Sequence, residues 1–405
     1  MKRIVKISMV FLLMNLYEGK CQRFDKGDIT IFGHNWSGID LKKNPYRLSN
    51  GYMTYDVEVG FQTEPSDNCM FADAYGYPIL GVGISVATLS DFDMGPTSYL
   101  PDLYTVYGSF ERTLVRKERF SFGFMLNVGI TTNIASYDPV NNPGNTFLSS
   151  PIMAYFGGGY FAKYHIGKRW EAGADLMYRH YSNGMLSLPN GGLDAAGCGI
   201  FARYRLKEYK PQELLRHDHS PEFHRGMIYH IAFSGGVHSC RSEWRAYNEM
   251  VEDVNLKQTR FKKHPKFSLS ADAMYRYALK YATGISLDLY YSSNMKELEQ
   301  CDRIIYGDEA VENCPGYDPI SVGVALVQEL YYRNLAGYIA LGAYPYRHKG
   351  ISGYQGWHYE KAGLRYYFPK YSITFAGFAI KAHNFRAENF EFTVGVRFGK
   401  REKNK

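Results

Sequence analysis

Apolar and polar residues alternate with a period of two along nearly the whole chain, and this restricts the fold more than any other feature. Phe120, Phe122, Phe124, Leu126, Val128 and Ile130 fall on one side of a strand, with Ser121, Asn127 and Thr131 among those on the other. Ile152, Ala154, Phe156, Tyr160, Ala162, Tyr164 and Ile166 make a second apolar face. Ile285, Leu287, Leu289 and Tyr291 oppose Ser286 and Asp288, and Phe390, Phe392, Val394, Val396 and Phe398 oppose Glu391, Thr393 and Arg397. Successive side chains of a strand point to opposite faces, so each segment presents one greasy and one wet surface. Beyond the N-terminal segment no apolar run is long enough for a transmembrane helix. The reading is all-β, a transmembrane antiparallel barrel of the outer-membrane type.

Connections sort into two classes. Tight ones fall near residues 116–119, 167–168, 280, 333–334 and 369–370. Long ones fall near 36–50, 91–102, 135–149, 183–192, 240–262, 294–316 and 348–356. The two classes alternate almost throughout, as periplasmic turns and surface loops do, and the exceptions at 63–77 and 207–226 fall on the turn side. The count is about 14–16 strands, with both termini on the periplasmic side. The polar linker splits the chain into comparable halves. One large barrel is the preferred expectation and two smaller barrels in tandem the alternative, because both halves carry enough glycine and inward polar residues for either. The expected organisation is a signal peptide over 1–21, a first barrel half over 22–207, a periplasmic linker over 208–226, a second half over 227–400 and a basic tail over 401–405.

Lys2, Arg3 and Lys6 precede the apolar stretch 7–17, which is too short to span a bilayer and reads as a signal peptide with cleavage before Gln22. Lys20 directly before Cys21 argues against lipidation. The mature chain is therefore expected to be exported. With 36 Tyr, 25 Phe and 40 Gly and a negative mean hydropathy, the composition suits aromatic-girdled strands joined by turns. The net charge of +7 is scattered; it fits a phosphate-rich lipid surface and offers no concentrated patch for nucleic acid. Of the cysteines, Cys301 and Cys314 share one loop and could pair, while Cys198 reads as a small apolar strand residue. His217, His219 and His224 have a spacing that could hold a metal, but no cysteine or clear supporting group accompanies them, so no metal and no cofactor is expected. Gly81, Gly83 and Gly157-Gly158-Gly159 lie in strands and read as sites of curvature or close packing.

Two strands break the alternation in an informative way. Along 169–182, Glu171, Asp175 and Arg179 mark the wet face, and Trp170, Ala172, Ala174, Leu176, Tyr178, His180 and Ser182 the other. Along 193–206, Arg203 and Arg205 mark the wet face, which leaves Asp194, Ala196, Cys198, Ile200, Ala202, Tyr204 and Leu206 toward lipid. A charge on that face costs about 2–4 kcal/mol at the midplane and much less near the interface. His180 and Ser182 close one strand and Asp194 opens the next, so all three are expected at one rim, beside the long loop 183–192. Neighbouring strands lie about 4.8 Å apart, close enough for Ser182 as nucleophile, His180 as general base and Asp194 as its orienting acid. Asn183 and the Gly184 backbone are candidate oxyanion donors.

The run His180-Tyr181-Ser182-Asn183-Gly184, continued by Leu188-Pro189-Asn190-Gly191-Gly192-Leu193-Asp194, resembles the signature of outer-membrane lipid A 3-O-deacylases, also grouped as acyloxyacyl hydrolases. The resemblance implies a barrel whose bilayer-facing serine and histidine remove an acyl chain from lipid A, with the motif's histidine, serine and oxyanion asparagine at His180, Ser182 and Asn183. Its acidic member is usually glutamate, and Asp194 stands there. The resemblance is specific over 169–206 and looser from about 50 to 207, where Asn142-Pro143-Gly144-Asn145 and Ser149-Ser150-Pro151 look like the preceding loop of longer relatives. Lys381-Ala382-His383, Ala387-Glu388 and Phe390-Glu391-Phe392 resemble their last hairpin. It implies lipopolysaccharide of the outer leaflet as partner and the outer membrane as location. The rival reading is a channel or structural barrel with an idle motif, conducting past lumen residues such as Glu171 and Arg179. In the second half, Tyr291-Ser292-Ser293-Asn294 echoes the motif without its histidine, and His383 is expected to face the lumen beside Lys381.

Overall fold

The structure is a computed structural model of the chain, and it describes residues 28–41, 52–62, 70–89, 94–211, 214, 223–353, 356–369 and 374–399. The signal-like segment with Cys21, the basic tail, and Cys69, His217 and His219 lie outside the described residues. Strands β1 (Asp28–Asp40), β2 (Tyr52–Gln62), β3 (Ile79–Thr88), β4 (Leu103–Arg116), β5 (Phe120–Thr132), β6 (Ile152–Ile166), β7 (Trp170–Ser182) and β8 (Leu193–Arg205) form one antiparallel ring. A second ring holds β9 (Gly226–Ser239), β10 (Lys263–Arg276), β11 (Tyr281–Ser292), β12 (Tyr317–Tyr332), β13 (Leu335–Lys349), β14 (His358–Tyr367), β15 (Thr374–His383) and β16 (Arg386–Gly399). Helices among the described residues are short and sit in connections, and none is long and apolar enough to cross a membrane. Contacts divide the chain into two units, one with β1–β8 and one with β9–β16 and the segment Gly184–Pro189.

The sixteen strands therefore close as two rings of eight, which corrects the preference for a single large barrel in favour of its alternative. The deciding observation is the ladder in which β8 returns to β1, from Thr30 opposite Arg205 to Asp40 opposite Ala195. Side chains cross the same seam: the Arg205 guanidinium donates to Asp28 at 2.9 Å and to Gln62 at 2.8 Å. In the second ring β16 pairs with β9, and the Ser234 and Thr393 hydroxyls meet at 2.8 Å across that seam. Alternation fixes which way a side chain points, but not which distant strand closes the sheet.

Both rings are inverted relative to a water-soluble protein. On β7 and β8 the outward residues Leu176 and Ile200 are 68% and 69% exposed, whereas the inward Arg179 is fully buried. An eight-stranded ring has room for side chains and little else, and here many of the charged groups that fill it are paired. In the first ring Arg179 donates to Asp56 at 2.5 Å, Lys163 to Glu111 at 2.6 Å and Arg205 to Glu171 at 2.5 Å. In the second, Arg365 reaches Glu329 at 2.6 Å and Asp272 at 3.0 Å. A buried ion left without its partner would cost several kcal/mol, so these networks tie strands together, several of them across the lumen.

Glycine relieves crowding at tight places. A Cβ on Gly83 would lie 2.3 Å from the Tyr107 ring, and one on Gly159 would lie 2.1 Å from the Leu176 carbonyl oxygen. Cys301 and Cys314 are free thiols rather than a pair. Cys301 is buried in the helix Met295–Tyr306, where burial first, and the neighbouring Cys240 second, push its thiol up to about 12. Cys198 lies exposed on the outer face of β8.

Candidate active site

The site grows from the register between β7 and β8, where His180 stands directly opposite Asp194. Leu176, Tyr178 and His180 share the outward face of β7, Ser182 follows them in the same alternation but is buried, and Asp194 faces outward on β8. The fold thus sets the histidine and the carboxylate side by side, and His180 Nδ1 lies 2.5 Å from Asp194 Oδ1. Their side chains are 31% and 17% exposed, so the pair sits at a surface without being fully solvated. The Tyr178 hydroxyl donates to the same carboxylate oxygen at 2.6 Å.

Ser182 is the last residue of β7 and is largely buried. Asn190 Nδ2 donates to its Oγ at 3.1 Å. Asn190 is held in place by the next two residues, whose backbone N–H groups donate to the carbonyls of Thr146 and Phe147 at 2.9 and 3.2 Å. Asn183 is buried; its Nδ2 donates to Ser149 Oγ at 2.9 Å, and its backbone N–H points to Asn190 Oδ1 at 3.4 Å. Gly184 takes a left-handed backbone with φ 60° and lies outside the first unit. Among the expected residues, His180 and Asp194 are in direct contact, Ser182 stands two positions along the strand, and Asn183 lies in the adjoining network.

Three further residues belong to this arrangement. Asn190 stands in the motif quoted above, but nothing in strand spacing gives a loop asparagine a role. Tyr178 reads as one more apolar member of the outer face; its position two before His180 was the available signal. Ser149 lies in the Ser149-Ser150-Pro151 run of the loop 133–151, whose base is closed by the Asn133 N–H on the Pro151 carbonyl at 3.2 Å. In the second ring Tyr291 faces outward and Ser292 inward. His383 is buried in the lumen with Lys381 and meets the Tyr344 hydroxyl at 2.9 Å, as its alternation indicated.

Comparison with known proteins adds a family at the level of one domain. Residues 227–401 match the family model described as acyloxyacyl hydrolase, C-terminal domain. The matched stretch is the second ring; His180, Ser182 and Asp194 lie in the first. No match to a curated protein was found. Among solved structures the chain is similar to a mutant porin of Rh. blastica, at 9% identity over 92% of this chain and 100% of that one, with a TM-score of 0.18. It is similar to the Pseudomonas putida toluene transporter TodX at 9% identity over 92% of this chain and 89% of that one, also with a TM-score of 0.18.

Proposed function

We propose that the chain is an outer-membrane serine esterase that hydrolyses an ester-linked acyl chain of lipid A on the outer wall of its first barrel. The observation that carries this reading is the 2.5 Å contact between His180 Nδ1 and Asp194 Oδ1, with Ser182, buried at the end of β7, two residues further along the strand. The match of residues 227–401 to an acyloxyacyl hydrolase domain supports the same reaction class. A polar trio on an otherwise apolar wall is costly for no purpose, and an ester whose acyl chain already lies in the bilayer is the substrate that can reach it.

In this mechanism Asp194 accepts the Nδ1–H of His180, which leaves the Nε2 lone pair to take the Ser182 proton. Ser182 Oγ attacks the acyl carbonyl, and Asp194 stabilises the imidazolium that forms. His180 returns the proton to the leaving sugar hydroxyl. Water, deprotonated by the same imidazole, then releases the fatty acid from the acyl-serine. Asn190 Nδ2 is the donor beside Ser182 Oγ and takes the oxyanion role, with the Asn183 backbone N–H next to it. No cofactor enters. A conducting barrel is less well supported, because Glu171 and Arg179 sit in closed ion-pair networks of a filled lumen.

Lipid A mass spectra from cells carrying the parent protein, the Ser182→Ala variant or a deletion test the reading. Loss of one acyl chain only with the parent protein is expected. Identical spectra for all three would sink it. Covalent labelling by a lipophilic serine-hydrolase probe should likewise vanish in Ser182→Ala.

A further inference from the structure

The second barrel gathers cations at the end where β9, β11 and β13 finish. Lys266 and Lys349 are each more than nine-tenths buried in a recess there, Arg347 joins them in its wall, and the buried Lys381 lies behind it over the Tyr290 ring. Among the described residues, the carboxylate in ion-pair range of this group is Glu388. Lys266 contacts one of its oxygens and Lys381 the other, the latter at 3.0 Å. Lys349 has backbone carbonyls instead, those of Asp318 at 2.8 Å and Pro319 at 2.9 Å, and Arg347 donates to the Gly353 carbonyl at 3.0 Å. Other lumen carboxylates are engaged elsewhere: Asp288 and Glu391 face Lys361, and Glu243 holds His264 at 2.8 Å.

Two of these four cations thus share one carboxylate, and the other two have only backbone carbonyls, in a partly enclosed site. Burying ammonium groups against carbonyls alone leaves charge uncompensated, and in a low-dielectric recess that charge acts strongly on any anion within reach. The recess also holds buried polar atoms without a hydrogen-bond partner among the described residues, the Arg347 Nε donor, His238 Nε2 and the Asn294 Oδ1 acceptor. Ser292 and Asn294 from the end of β11 add small polar groups to the wall. Compact charge, several N–H donors and a single opposing carboxylate match a tetrahedral oxyanion.

We infer that the mouth of the second barrel is a binding site for a phosphate group, with Lys266, Arg347 and Lys349 as its cationic ligands and Lys381 adding positive charge behind them. The group has two sources, a phosphorylated lipid headgroup or free phosphate, which share this chemistry. The site is independent of the esterase chemistry proposed for the first barrel, and it survives or fails separately.

The test uses the full chain in neutral detergent micelles, titrated calorimetrically with inorganic phosphate at constant ionic strength set by chloride. A second arm measures capture by vesicles of phosphatidylcholine with or without phosphatidic acid, a phosphate monoester lipid. Saturable phosphate binding is expected, weakened at least about tenfold by Lys349→Gln combined with Arg347→Gln, since each substitution removes a charge-assisted hydrogen bond. Glu388→Gln removes the opposing charge and is expected to tighten binding. Binding of phosphate with no preference for phosphatidic acid assigns the site to the free ion; a preference abolished by the double substitution assigns it to a headgroup. Lys349→Arg, which keeps the charge, is expected to bind, and circular dichroism checks that each variant retains its sheet. Absence of saturable binding in both arms, or binding unchanged by the double substitution in a folded variant, overturns the inference.

Discussion

Replacing Asp194 by asparagine preserves the shape of the side chain and removes its charge. In the parent protein Oδ1 of Asp194 receives two contacts, from His180 Nδ1 at 2.5 Å and from the Tyr178 hydroxyl at 2.6 Å. The outcome depends on which end of the new amide faces the histidine. If the amine end does, His180 must carry its proton on Nε2, the nitrogen that has to accept from Ser182, and a loss of about 10⁴ in kcat follows. If the oxygen end does, the tautomer survives and only the charge assistance is lost. Tyr178 decides between them, because its hydroxyl donates and so holds an oxygen at that position. The loss is then that of a charge-assisted hydrogen bond, about 1.5–3 kcal/mol, or roughly 10- to 150-fold in kcat/KM. Adding Tyr178→Phe removes the selector, and the double variant is expected to fall toward the larger figure. The assay is single-turnover acyl release from lipid A in mixed micelles, read by mass spectrometry. Asp194→Asn activity within about twofold of the parent would refute the assignment of Asp194 to the histidine. Equal losses with and without Tyr178 would refute the argument from the tautomer.

Other perturbations reach different parts of the molecule. Asn190→Ala should lower kcat by about 10²–10³ with little change in KM, if its amide stabilises the oxyanion at Ser182; a change confined to KM would make it a binding residue instead. Arg179→Met takes the guanidinium from Asp56 in the first lumen and leaves that carboxylate with His34 at 2.7 Å; it should cost up to about 3–5 kcal/mol in urea unfolding, part of which Asp56→Asn should restore. Leu176→Lys, on the wall exposed to lipid, should cost about 2–4 kcal/mol for folding into vesicles, less if β7 sits off-centre in the bilayer. Maleimide followed by peptide mapping should label half-buried Cys314 near neutral pH. Cys301, its thiol pushed up to about 12 by burial, should react only as the pH climbs toward that value or the helix opens.

Much of the fold was legible because a strand has only two faces. Phe120 and Ser121, Leu287 and Asp288, Phe392 and Thr393 each fall outward and inward as their alternation indicates. Closure was not legible, since the residues that settle it are far apart in sequence: Thr30 and Arg205 in one ring, Phe392 and Gly235 in the other. The same reason hid the cation cluster. Lys266, Arg347, Lys349 and Lys381 are scattered in the chain, and only ring closure brings them to one mouth. At the candidate site, His180 and Asp194 could be placed because they flank one loop on adjacent strands. Asn190 could not, because its position depends on the backbone of Thr146 and Phe147 in another connection.

The closed rings also dictate which length changes the chain can absorb. One residue inserted in β7 between Asp175 and Leu176 would rotate everything after it by half a turn, sending Arg179 into lipid and His180 into the packed lumen. Two inserted residues would restore every face and merely shift the register against β6 and β8. Within the strands, insertions and deletions should therefore survive in pairs, while the loops between them take any number. A census of length variation among tolerated variants would trace the sheet without reference to any single side chain.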